Sequence, residues 1–311
     1  MSQAEKWGIR PLSNWGRWGK DDQLGTANFI TAEVVARASK EVQRGKIITC
    51  AVPIDRNGPQ FPGRQPCVRM MSLMNIPGRE IGLKTDSVIS DDVVIMPLQG
   101  STQWDGLSHV GYGGAYYNGV PYTAITTERG ATKNSIFRLG ESLTTRGVLV
   151  DMVRYKSAED KGHLEPEYPI TVDDLNGCLE MEKVEVKSGD ALLLRTGWVP
   201  HWYKHPGERR GYFGHSPGLH LKTIEWIYDK EISCVAADNI NVEVLPSGYE
   251  QENVFHAIAI RDVGLTLGEI FDFEALAADC KQDGRYTCFF VAPPLRFRGA
   301  VGSPLNPLAI K

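Results

Sequence analysis

Six short runs rich in β-branched and aliphatic residues punctuate the chain: Ile47 to Val52, Val93 to Met96, Val148 to Val153, Ala191 to Arg195, Ile232 to Ala236 and Tyr286 to Val291. Each has the length of a strand and is too short for a buried helix. Helical patterns fall between them. Thr31 is placed to cap a helix running to about Arg44, with Gly45 as its stop. Thr171 and Asp174 stand at near-capping-box spacing ahead of Leu175 and Leu179, and Leu221, Ile224, Ile227 and Tyr228 recur at helical spacing. Phe271 to Cys280 reads as a last short helix, ending before Gly284.

Strand runs outnumber helices, and glycine and proline are spread along long, irregular connections. The pattern predicts an α/β protein: a β-rich single domain over 1–311, with a central mixed sheet or barrel flanked by helices. A doubly wound nucleotide fold is excluded, because no G-x-G-x-x-G follows a strand and no Walker loop is present.

Apolar residues are 42% of the chain and charged ones 23%, with a net charge of -4, so a sizeable core is expected and no polyanion partner. No basic run suggests nucleic acid, and no apolar run approaches the roughly 18 residues that would span a bilayer. The N-terminal residues lack the apolar segment of a secretory signal. Six scattered cysteines without a C-x-x-C pair read as buried thiols in a reducing compartment. The expectation is a cytoplasmic protein acting on a small molecule.

Candidate chemistry concentrates in two segments. In QGSTQWDGLSHVGYGGAYYNG (99–119), polar side chains recur at Gln99, Thr102, Gln103, Asp105 and His109. Asp105 and His109 share a face if the chain turns helical there, and a carboxylate with an imidazole can bind a metal or hold a base beside one. The alternative is a strand-to-helix junction with Asp105 capping backbone amides. In NVFHAIAIRDVGLTLGEIFDFEAL (253–276), His256 lies in an apolar, strand-like run and Glu269 follows a glycine turn. Burying either without a partner is costly, so the two can complete a cation site with Asp105 and His109.

The order and spacing of these segments resemble the cyclase family of metal hydrolases, which includes bacterial kynurenine formamidase, isatin hydrolase and trans-dienelactone hydrolase. Further matching stretches are Asn14-Trp15-Gly16 with Asp22 to Thr26, Arg146 to Asp151, Gly189 to Ala191, Arg195 to Trp198, Asp238-Asn239 and Glu243. The family signature, His-x-Gly-Thr-His-x-Asp-x-x-x-His, falls on Gln99, Ser101, Thr102, Gln103, Asp105 and His109, so both leading histidines are glutamines here. The resemblance implies a fold of the swivelling β/β/α type and a homodimer or homotetramer. It also implies that residues 1–45 are an extension packed on the core or on a neighbouring subunit. It implies one divalent cation on Asp105, His256 and Glu269, with His109 as proton shuttle. Gln99 and Gln103 become oxygen ligands, which favours manganese or zinc, with magnesium also open. Phe61, in a Phe-Pro-Gly turn, is the counterpart of a pocket aromatic, and Trp104 and Tyr112 are further candidates for substrate contact. The implied reaction is hydrolysis of a small amide or lactone. A non-hydrolytic cyclase or lyase, or a decayed binding protein on the same scaffold, are the alternatives that the two glutamines keep open.

One competing motif is Gly214-His215-Ser216-Pro217-Gly218, which matches G-x-S-x-G. Pro217 has no N–H to offer an oxyanion, and no strand precedes it, so it reads as a loop entering a helix. His163, His201, His205, His215 and His220 lie in polar, proline-rich stretches and read as solvated surface.

Overall fold

The computed structural model describes residues 3–205, 209–250 and 253–311. Eleven strands organise it: β1 Ile47–Thr49, β2 Val68–Pro77, β3 Val88–Ile95, β4 Gln103–Asp105, β5 Thr144–Asp151, β6 Ala191–Arg195, β7 Cys234–Ala237, β8 Thr266–Glu269, β9 Thr287–Val291, β10 Gly302–Pro304 and β11 Leu308–Ile310. Nine of them form one mixed sheet in the order β1-β11-β9-β5-β6-β7-β8-β4-β10. The centre, β5 through β8, is parallel, and both flanks are antiparallel.

The parallel strands are buried on both faces, which is why they read as unbroken apolar runs. Val148, Val150, Leu192, Leu194 and Val235 point into one core, against the helices α2 Val172–Glu182 and α4 Thr223–Asp229. Leu149, Leu193 and Ala236 point into the other, against α5 Glu274–Asp283. A third cluster gathers Trp198, Val199 and Trp202 of α3 Trp198–Lys204 with Tyr212, Phe213 and Ile240.

Local signals behave as their chemistry requires. Thr171 and Asp174 form a full capping box at α2, and Gly284 ends α5 in the left-handed conformation. Thr31 caps α1 Ala32–Ala38, but this helix stops well short of Arg44 and runs into a short 3-10 turn, Ser39–Glu41. Val34 and Ala38 are its buried positions; beyond them Val42 is exposed, so nothing anchors a longer helix. The N-terminal segment packs on its own chain at Asn14, which bonds Asp262 and Val263, and at Thr26, whose hydroxyl donates to the Ser233 carbonyl at 2.7 Å. All six cysteines are buried and free. Among the described residues, no helix is long and apolar enough to cross a membrane.

β2 and β3 stand apart from the sheet as a two-stranded ribbon that pairs only with itself. Met70, Met71, Met74, Val88, Val93, Val94 and Ile95 are all between 41% and 68% exposed on it.

One ion pair aligns the parallel centre. Arg146 of β5 reaches the fully buried Asp190, just ahead of β6, through Nε at 3.1 Å and Nη2 at 2.6 Å, and Asp190 also accepts from the Lys187 amide at 2.8 Å. Removing the guanidinium leaves the buried carboxylate with only the half-exposed Arg37, at 3.8 Å, as counter-charge. Arg146→Ala is expected to lower unfolding stability by roughly 3 kcal/mol or more, measured by urea denaturation; an unchanged midpoint would show that the pair contributes nothing net.

Candidate active site

The chemical residues meet where the short antiparallel strand β4 lies between β8 and β10. Register places Gln103 opposite Glu269 and Asp105 opposite Leu267 and Gly302. Because side chains alternate along a strand, Gln103 and Asp105 project from the same face and Trp104 from the other. The chain then makes a tight turn rather than a helix, with the His109 amide donating to the Gly106 carbonyl at 2.9 Å. That turn brings His109 Nε2 to 3.6 Å from Asp105 Oδ1.

His256 enters from a helix that starts as one α-turn, Val254–His256, and continues as a π-helical stretch, Ala257–Val263. Its Nδ1 meets Glu243 Oε1 at 2.8 Å; its Nε2 lies 3.2 Å from Glu269 Oε1 and 3.8 Å from Asp105 Oδ2. Glu243 also accepts the Phe255 and His256 amides at 3.2 and 3.1 Å. It therefore fixes the ring and turns Nε2 toward the acids. One ligand atom each from Asp105, His256 and Glu269 converges within 4.8 Å, and all three residues are buried.

The electrostatics of this cluster are unbalanced. Both Asp105 oxygens are buried and accept no hydrogen bond, and Gln103 Oε1 is likewise without a partner. Burial, followed by the nearby Asp105 charge, pushes the Glu269 carboxyl up. Burial alone would lower His256, but hydrogen bonds to Glu243 and Glu269 outweigh it and raise the ring above its ordinary value. His109 is lowered, chiefly by burial, so its neutral form dominates near pH 7. Orphaned oxygens, two acids and an imidazole in one dry spot form the donor set of a divalent cation, which would satisfy them together.

The two glutamines behave differently. Gln103 Nε2 donates to Glu269 Oε2 at 2.7 Å, leaving its oxygen free. Gln99 lays its side-chain amide over Gly302, where a Cβ would collide with it. The Gln99 Nε2 is buried and leaves a donor without a partner.

A cavity of about 420 Å³ opens onto the cluster, lined by Phe61, Arg64, His109, Phe213, His256 and Glu269 among others. Phe61 takes the wall position expected of it. Trp104 does not: it is fully buried on the opposite face, 5.1 Å from the Phe271 ring, with Nε1 donating to the Ala292 carbonyl at 2.7 Å. Tyr112 is also outside, its hydroxyl on Asp262 and its ring under the Arg261 guanidinium at 4.1 Å. From the loop after His109, Val110 reaches the cavity, while Tyr112 pairs with residues of the π-helical stretch.

Sequence reasoning missed Arg64 and the asparagine pair Asn241 and Asn253, which also line or support the site, and named Glu243 as a family match without giving it a role. Glu243 had a signal: a carboxylate in the apolar run Val242 to Leu245 needs a buried partner. His163, His201 and His205 are not simply solvated. His201 stacks on Trp198 at 4.3 Å, with His163 and His205 at 4.7 and 4.4 Å from it. Asp238 and Asn239 pin loops: Asp238 accepts the Thr196 and Gly197 amides, and Asn239 donates to the Pro217 carbonyl.

A mixed sheet of this order with a buried Asp-His-Glu centre defines a class, and comparison with known proteins agrees with it. The cyclase family model matches residues 48–244, and the chain belongs to this family. A solved structure described as a novel cyclase is 44% identical, covering 96% of this chain and 100% of its own, with a TM-score of 0.89. Isatin hydrolase A from Labrenzia aggregata, bound to benzyl benzoate, shares the fold at 18% identity and a TM-score of 0.63, over 89% of this chain and 96% of its own. An isatin hydrolase bound to the product analogue thioisatinate does so at 17% identity and 0.60, over 90% and 98%. No curated protein matches the chain.

Ser216 is fully buried, follows the helical Arg209–Gly214, and its hydroxyl meets no histidine. The one buried histidine near in chain order, His256, has both ring nitrogens engaged by acids. Ser216→Ala is expected to leave turnover within a factor of a few; a loss of several powers of ten with the fold intact would restore a serine nucleophile.

Proposed function

We propose that this protein is a metal-dependent hydrolase that opens a small amide, cyclic amide or lactone. Asp105, His256 and Glu269 hold one divalent cation, and His109 moves the proton. The observation that carries this reading is the Asp105 carboxylate, buried without a hydrogen-bond donor yet within ion-pair distance of two imidazoles. Likeness to structures named isatin hydrolase supports a hydrolytic reaction. A divalent cation bound to these donors polarises a carbonyl and makes an attacking water more acidic.

The chain's own residues do the rest. His109 lines the cavity and is held neutral by burial, so it can take a proton from water and return it to the leaving nitrogen or oxygen. It is left to move protons because the converging ligand atoms come from Asp105, His256 and Glu269 and not from it. Gln103 steadies Glu269, and Glu243 steadies His256. Phe61, Phe213 and Ile240 give the cavity apolar walls that limit water around the scissile bond. Two carboxylates, one imidazole and a free amide oxygen suit manganese first, with zinc and magnesium the other ions to test.

Three variants separate these roles. Asp105→Asn is expected to lose metal and Gln103→Ala to keep most of it. His109→Ala should keep metal while kcat falls about 100-fold or more. Elemental analysis and kcat on the same samples decide, with substrate found among formamides, cyclic imides and lactones. Full metal content in Asp105→Asn removes the assignment, and metal loss in His109→Ala makes that residue a ligand.

We propose also that a second copy of this chain covers the β2–β3 ribbon. An isolated two-stranded ribbon is at best marginally stable in water. Its Val68, Met70, Val93 and Ile95 share one face by register, next to no other strand. Met70, Val93 and Ile95 of that face are 41% to 49% exposed, so it presents apolar side chains that a partner would cover. Sedimentation is expected to show a dimer or a larger even assembly, reduced to monomer by Met70→Asp with Val93→Asp. A wild-type monomer at micromolar concentration would contradict it.

A further inference from the structure

We infer that Arg64 is a carboxylate-recognition site, and that the substrate carries a carboxylate apart from its scissile bond. This rests on the hydrolase reading above and adds its substrate class.

The turn chemistry comes first. Phe61-Pro62-Gly63-Arg64 closes with the Arg64 amide on the Phe61 carbonyl at 3.1 Å, with proline second and Gly63 third at a φ of 90°. That is a type II turn, whose third position favours glycine. It sets the Phe61 and Arg64 side chains side by side, with the guanidinium 5.4 Å from the ring centroid, and both line the cavity that ends on His109, His256 and Glu269.

Arg64 has work for only part of its donor fork. Nη1 donates to the Gln99 carbonyl at 2.5 Å, a neutral acceptor. Among the described residues it meets no carboxylate within ion-pair distance, whereas Arg195 and Arg261, also partly buried, are each paired with an acid. The acids nearest the cavity are already committed: Glu269 to Gln103 and His256, Glu243 to His256 and two backbone amides. A partly buried guanidinium without a counter-ion is unfavourable, and a planar fork with free N–H groups matches a carboxylate in two-point fashion. Lysine could not reproduce that geometry. The remaining walls, Phe213, Ile240 and Leu245, are apolar and suit the carbon body of the ligand. The ligand so defined is a small acid: a carboxylate at Arg64, an apolar body between the phenylalanines, and an amide or ester carbonyl at the acidic cluster.

The test uses matched pairs on the metal-loaded protein: N-formylphenylalanine against its carboxamide for turnover, and 3-phenylpropanoate against 3-phenylpropanamide for binding by calorimetry. Wild type is expected to prefer the acid in each pair. Arg64→Gln should reduce kcat/KM and affinity for the acid by about 10- to 100-fold, with the neutral partner changed little, and Arg64→Lys should recover part of the loss. Metal binding by a carboxylate is common to both proteins, so the difference between them reports Arg64 alone. Equal losses for acid and amide would mean that Arg64 only supports the Gln99 loop, and would overturn the proposal. No turnover of either pair, with the affinity difference intact, would count against hydrolysis while leaving the carboxylate site standing. No affinity difference sinks the site whatever the activity.

Discussion

Asp105 occupies the last position of a three-residue strand, its carboxylate buried and its two oxygens without a hydrogen-bond donor. Taking an ionised carboxylate out of water costs several kcal/mol unless a charge or donors compensate. The surroundings are arranged around this one debt. Two imidazoles approach to 3.6 and 3.8 Å, and Glu269 comes close enough that its own ionisation is disfavoured. One ligand atom each from Asp105, His256 and Glu269 converges there, a donor set that could hold a cation.

Holding such an arrangement requires a rigid frame, and the sheet supplies it. β4 is hydrogen-bonded on both edges, to β8 and β10, and β8 is the last of the four parallel strands that form the core. Asp105 and Glu269 are thus fixed by backbone register, not by loops. His109 comes from the Gly106 turn attached to that frame, and His256 from a helix where its apolar run suggested a strand. Glu243 fixes the orientation of the His256 ring. Gly302 adds a smaller constraint, since only a residue without Cβ leaves room for the Gln99 amide beside Asp105.

The cavity has two chemically different halves. The floor is acid and imidazole, the place for bond breaking. The walls come from the Phe61–Arg64 turn and the aromatic cluster around α3, where Phe213 packs 5.8 Å from Phe61. Wall and floor are joined covalently by the exposed ribbon, since β2 follows the turn and β3 precedes the loop to β4. A partner gripping the ribbon would therefore bear on both halves at once.

Much of this was legible in the chain itself. Three of the four parallel strands announced themselves as apolar runs because both their faces are buried, while Thr266–Glu269 did not; Thr171 and Asp174 marked a helix start because the capping box is local, and Gly284 marked a helix stop. Asp105, His109, His256 and Glu269 stood out because polar groups in apolar contexts demand partners. What sequence could not decide is direction. Period-two alternation says that Trp104 opposes Gln103 and Asp105, but only the packed sheet shows which face holds the cavity, and it is not the tryptophan's. Tyr112 could have turned inward until Asp262, 150 residues away, took its hydroxyl. Gln103, read as an oxygen ligand, also donates to Glu269 while its oxygen stays free, and Arg64, which the sequence pattern did not single out, is set in the wall by a type II turn. Local pattern fixes the elements because its causes lie within a few residues. The identity of each side chain's partner depends on contacts between distant segments, and those exist only once the chain is folded.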